Sequence, residues 1–201
     1  MNSDDLAFLE LFETRSSQSR IVEASFPQLA EWASLMGWDV VVTVPLKPEP
    51  GMSAGDCFSN VADKIARDGG AAEYGRIFVL IPGQAIQTTS HAIWISPSGE
   101  RIDITQLESG HTQSHVLFAP DPSVRERKGA SPSYHCLLSA DPKVRGIFAL
   151  EQAIEDWMAD AFISLNAQPA LDYSILQRII EQSELPEHVK MSIVENVLPR
   201  A

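Results

Sequence analysis

Ser53-Ala-Gly-Asp-Cys57-Phe-Ser-Asn-Val-Ala-Asp-Lys-Ile-Ala-Arg-Asp-Gly-Gly70 is the stretch on which the fold turns, because it sets a cysteine at the start of a short amphipathic helix. Phe58, Val61, Ala62 and Ile65 recur at i, i+3, i+4 and i+7, and Gly69-Gly70 supplies the stop. Ser53 or Asp56 is expected to accept hydrogen bonds from the free N–H groups at the front. Those N–H groups and the helix dipole stabilise an anion, so a cysteine in this first turn is a candidate nucleophile. The alternative for Cys57 is plain packing, since cysteine is among the most buried residue types.

Outward from that helix, Lys47-Pro-Glu-Pro-Gly51 breaks the chain before it and Arg76-Ile-Phe-Val-Leu-Ile81 follows as a buried strand ended by Pro82-Gly83. Ile86–Ser96 and Glu100–Thr105 then read as two strands joined by Pro97-Ser98-Gly99. A three-residue hairpin loop with glycine in the left-handed position pairs Ser96 with Glu100. Ile93 then faces Asp103 and His91 faces Thr105, so all four share one side of the sheet. His91 and Asp103 become diagonal neighbours with Cβ atoms roughly 7 Å apart, within reach of a carboxylate-to-imidazole hydrogen bond. Trp94, Ile102 and Ile104 point to the opposite side, which is apolar enough to be core. Without such partners His91 reads as a strand histidine, and Asp103 as a loop cap or a partner for Arg101.

The remaining pattern places helices over about residues 4–13, 27–36, from Asp141-Pro142 onward, around Ile175–Ile180 and from Pro186. Strands are expected at Trp38–Pro45, Val116–Phe118 and Tyr134–Leu138. The long helix after Pro142 has a buried stripe of Ile147, Leu150, Ile154, Trp157, Met158, Ala161 and Leu165, with Glu151, Glu155 and Asp156 on a solvated face. The Pro, Gly and charge-rich stretch between Phe118 and Tyr134 is a candidate lid or partner-binding loop. A catalytic α+β domain over residues 1–168 with a helical appendage over 169–201 is the expected organisation.

The chain has 201 residues and a formal net charge of −12. That acidity argues against a nucleic-acid partner, whose affinity rests on clustered Lys and Arg. No window has the length of a membrane span and no signal peptide is legible. Two cysteines allow one disulfide at most, which fits a reducing, cytoplasmic setting. Cys136, next to His135 in an apolar strand, reads as core, with the nucleophile as its alternative role. His111 and His115, four apart, suggest a zinc site with Cys57, but their segment does not read as a helix, so no metal or other cofactor is expected.

The parts assemble into one chemistry. Cys57 attacks an acyl carbon, His91 moves the proton, and Asp103 orients the imidazole. The Cys57 backbone N–H is a natural oxyanion donor, with Asn60 a candidate for a second donor or for a structural cap. The order Cys, His, Asp, with cysteine at a helix start and aspartate across a hairpin from histidine, resembles the transglutaminase-like branch of the papain-like superfamily. That branch includes transglutaminases, arylamine N-acetyltransferases and bacterial peptidases. Cys57-Phe-Ser-Asn-Val and His91-Ala-Ile-Trp-Ile-Ser-Pro-Ser-Gly-Glu-Arg-Ile-Asp103-Ile-Thr are also similar to a pattern in bacterial proteins of unassigned function. The resemblance spans about residues 50–106. It implies a papain-like α+β fold and catalytic roles for Cys57, His91 and Asp103; the glutamine that papain-type enzymes place shortly before the cysteine is missing. The expectation is hydrolysis or acyl transfer at an amide of a protein or peptide, through a thioester at Cys57. The rival expectation is a catalytically silent protein of the same fold that binds through its acidic surface or C-terminal helices.

Overall fold

In this computed structural model, residues 20–106, 113–126, 131–165 and 173–182 are described, together with 187 and 190. The expected helix at 4–13, all but residues 187 and 190 of the one expected from Pro186, the loop before Arg20, and His111 lie outside the described residues. The elements run β1 (Arg20–Ile21), α1 (Leu29–Leu35), β2 (Val42–Pro45), α2 (Cys57–Asp68), β3 (Ala71–Ile81), β4 (Ala85–Ile95) and β5 (Arg101–Ile102). They continue with β6 (His115–Pro120), α3 (Pro122–Glu126), β7 (His135–Leu137), α4 (Pro142–Leu165) and α5 (Tyr173–Gln182). The architecture is α+β: a seven-stranded antiparallel sheet of order β2-β6-β3-β4-β5, with β1 added to β3 and β7 to β4.

The central hairpin β3–β4 pairs without a break from Ala71↔Ile95 to Ile81↔Ala85. β3 is longer than its apolar run because Ala71–Gly75 is held by eleven-residue pairing rather than by its own propensity. Beyond β4 the loop closes as expected: Gly99 sits at φ 88°, its N–H bonds the Ser96 carbonyl, and Ser96 N–H bonds the Glu100 carbonyl. Trp94 therefore faces Ile102 and Ile95 faces Arg101.

After Ile102 the second strand does not continue to Thr105 as expected. Asp103 is captured by the chain leaving β2: its N–H bonds the Pro45 carbonyl at 3.0 Å and its carbonyl accepts Lys47 N–H at 2.8 Å. This parallel bridge with Leu46, reinforced by Glu49 N–H to the Ile104 carbonyl at 3.0 Å, brings the last strand of the sheet back against the first. Inside the curve lie Ile21, Val44, Ile77, Ile93, Val116 and Phe118. Glycine is required where this wall is tightest. A Cβ on Gly75, the partner of His91 in the ladder, would stand 2.1 Å from the Ala119 carbonyl oxygen and 2.5 Å from Phe118 Cζ.

Two helices cover the outer face. α1 is stopped by Gly37 at φ 76°, and Trp38 N–H returns to the Ala33 carbonyl, which turns the indole into the core. Trp38 meets Trp32 and Phe78 edge-on at 5.7 and 5.9 Å, so residues 38–41 wrap the core and the strand starts only at Val42. Arg76 is buried in this layer. Its Nε bonds Asp121 at 2.7 Å, its other nitrogens bond the Pro132 carbonyl and Ser131 Oγ, and its guanidinium lies over Tyr134 and Trp38. Burial works against the Asp121 charge, but hydrogen bonds from Ser123 and Arg76 hold that carboxyl below its ordinary range.

The second covering helix is α2. Its inward face carries Cys57, Asn60 and Val61, while Ala62, expected in the stripe, faces solvent. Cys57 and Val61 pack with Ala92, Trp94, Ile102 and Ile104, so the apolar side of the hairpin is the seat of the cysteine helix. Trp94 Nε1 donates to the Gly69 carbonyl at 2.9 Å, and Lys64 lies over the same indole while pairing Glu49 at 2.6 Å. Farther along the chain, α4 buries Val144, Ile147, Phe148 and Leu150, and Leu150 joins Ile179 and Ile180 of α5. Glu155 corrects the expected solvated face: it accepts the Ser133 N–H, and burial pushes its carboxyl upward.

Candidate active site

Three elements bring the candidate residues together. The first turn of α2 carries Cys57, the middle of β4 carries His91, and the bridge to β2 holds the backbone of Asp103. His91 Nε2 lies 3.0 Å from Asp103 Oδ2. The Cys57 side chain is near enough to this ring to add to the influences that favour its protonated form. With Nε2 occupied by Asp103, Nδ1 is the ring nitrogen left for sulfur. Cys57 is a free cysteine 3% exposed, His91 is 4% exposed, and Asp103 is fully buried.

Burial alone would drive the imidazole to its neutral form. The charge of Asp103 and its hydrogen bond outweigh that, with a further contribution from Cys57, and His91 is pushed up to about 10. At neutral pH the ring is an imidazolium, the cation that a thiolate nucleophile needs beside it. The other oxygen of Asp103 is fixed too: Oδ1 accepts the Thr105 N–H at 3.0 Å. Both carboxylate oxygens are engaged, so its orientation is set by two bonds rather than by packing alone.

Asn60 supports this arrangement from one turn behind the sulfur. Its Nδ2 donates to the Ser53 carbonyl at 2.8 Å and to Thr105 Oγ1 at 3.2 Å, and its Oδ1 accepts the Ser53 N–H. With both amide hydrogens engaged it is a strut between the loop, the cysteine helix and the aspartate segment, and an oxyanion role would require those bonds to break. The expected side-chain cap is also absent: Asp56 occupies the N-cap position without a side-chain bond to the helix. The N–H groups of the first turn, that of Cys57 among them, are thus not taken by the capping side chain. No signal in the sequence singled out Thr105 as the link, because its role depends on Asp103 leaving the strand.

The other candidates stand apart. Cys136, in β7, packs on the outer-face core, and burial, with the nearby Glu31 charge, pushes its thiol up. His115 in β6 lies 3.8 Å from Glu23. Among the described residues there is no group of three His, Cys, Asp or Glu side chains arranged to hold a metal ion. No helix of the described residues is long and apolar enough to cross a membrane. No family model matches the chain, and comparison with curated proteins and with solved structures likewise finds no match.

Proposed function

We propose that this protein is a papain-like, transglutaminase-like cysteine enzyme that cleaves or transfers the acyl group of an amide, a peptide bond or a glutamine side chain, through a thioester at Cys57. One observation carries the reading: an imidazole whose Nε2 is 3.0 Å from a buried carboxylate has a cysteine at a helix start among the groups that act on its charge. In the first half-reaction the sulfur attacks the carbonyl carbon, the C–N bond breaks, and His91 delivers its proton to the departing amine. The Cys57 N–H and the positive end of α2 stabilise the oxyanion. In the second half, His91 takes a proton from water or an acceptor amine, which attacks the thioester and restores the thiol.

The near-complete burial of sulfur and ring favours a second reading, a silent protein of this fold that binds partners through its acidic surface. Alkylation by iodoacetamide between pH 8 and pH 6 separates the two. An enzyme keeps a reactive thiolate at pH 6, and Cys57→Ala removes that reactivity and any amidase or transfer activity while leaving the fold intact. A thiol inert across the whole range refutes the catalytic reading.

A further inference from the structure

Away from the cysteine, β7 and the first turns of α4 border an open cleft of about 600 Å³. Leu137, Ala140, Pro142, Gly146, Phe148 and Ala149 give it apolar walls, and His135, Gln152 and Arg145 are the polar groups. The volume and the mixture of apolar wall with a few polar groups are those of a small-molecule site. Two of the polar groups are held in place. His135 lies against Phe148 with ring centroids 4.9 Å apart and has Glu151 at 3.8 Å, and Gln152 donates to Asp156 at 3.0 Å.

The charge of the lining is the informative feature. Acidic residues outnumber basic ones 27 to 15 along the chain, yet the one formally charged residue lining this cleft is an arginine. Arg145 is exposed, which places its guanidinium where a ligand arrives. Glu151 lies 3.8 Å from His135 and is not part of the wall. We propose that the cleft binds a small organic carboxylate with an apolar body, its acid group on Arg145 and its body against Leu137, Phe148 and Ala149. An uncharged molecule of the same shape would fill the walls but leave the guanidinium without its ion pair.

The site is separate from the thiol. His135 pairs with Gln87 at the opposite end of β4 from the hairpin that carries Asp103. The proposal therefore does not rest on the catalytic reading. The test uses 4-phenylbutyrate and its uncharged isostere 4-phenylbutyramide, titrated into the full chain and followed by amide chemical shifts and calorimetry. The acid is expected to bind at least about 10-fold more tightly than the amide, a difference worth about 1.4 kcal/mol, with shifts centred on Ala140, Gly146 and Ala149. Arg145→Gln should reduce the acid to the affinity of the amide, and Ala149→Trp should remove binding of both with the thermal midpoint of a folded protein. Cys57 alkylation should be unchanged in both variants. Equal affinity of acid and amide, shifts elsewhere in the protein, or no binding of either at millimolar concentration would overturn the proposal.

Discussion

Replacing Asp103 with asparagine removes a charge and leaves the shape, and it isolates what holds a proton on His91. In the native chain, burial disfavours the imidazolium and the carboxylate outweighs it, giving a value of about 10 against an ordinary 6.5. The folded value is raised, so the stability contributed by this proton is complete below pH 6.5 and is lost as pH climbs toward 10. At 1.36 kcal/mol for each tenfold change in proton affinity, a rise from 6.5 to about 10 is worth several kcal/mol. In Asp103→Asn the opposing charge is gone and burial acts almost alone, so the ring should titrate below its ordinary value and be neutral at pH 7. Histidine Cε1–H resonances recorded against pH, with His91 assigned through His91→Gln, read the two values directly. Urea midpoints at pH 6, 8 and 9.5 give the stability consequence: the native protein weakens across that span and Asp103→Asn changes less. A native His91 titrating near 6.5, or one whose titration ignores the Asp103→Asn substitution, would refute the electrostatic argument.

Two further outcomes test the scaffold. Gly75→Ala forces a methyl group against the Ala119 carbonyl and the Phe118 ring, and should destabilise by about 3 kcal/mol or more, measured by urea unfolding. Arg76→Met strands the half-buried Asp121 carboxylate and should cost about 3–5 kcal/mol at pH 7, less at pH 3, where Asp121 is nearer to neutral.

Local periodicity is enough to locate α2, α1 and the long helix, because each buries one face, and α1 and α2 also end at a readable glycine. The hairpin is legible for a different reason: Pro97-Ser98-Gly99 favours a three-residue loop over the two-residue one that would split His91 from Asp103, and parity then puts the two on one side. Long-range capture was not legible. Nothing near Asp103 in the sequence announces that Pro45 and Lys47 will take its backbone, which is why the strand ends at Ile102 rather than at Thr105. The same holds for Ala71–Gly75, a mixed stretch ending in glycine, which is strand because β4 pairs with it. Arg76 and Glu155 look like surface charges until Asp121 and Ser133 supply the groups that let them be buried. Asn60 stands one turn from the sulfur, but its actual partners, Ser53 and Thr105, are fixed only once the bridge to β2 has formed.

That bridge also makes the connecting segment a ruler. The chain grips the backbone of Asp103 at Pro45 and Lys47, and the next helix it builds begins with Cys57. The reach from acid to sulfur is thus set by one short span of polypeptide whose prolines restrict its stretch. Evolutionary drift in the length of that span would move the sulfur away from the His91–Asp103 pair, whereas drift in the far helices would leave their spacing alone.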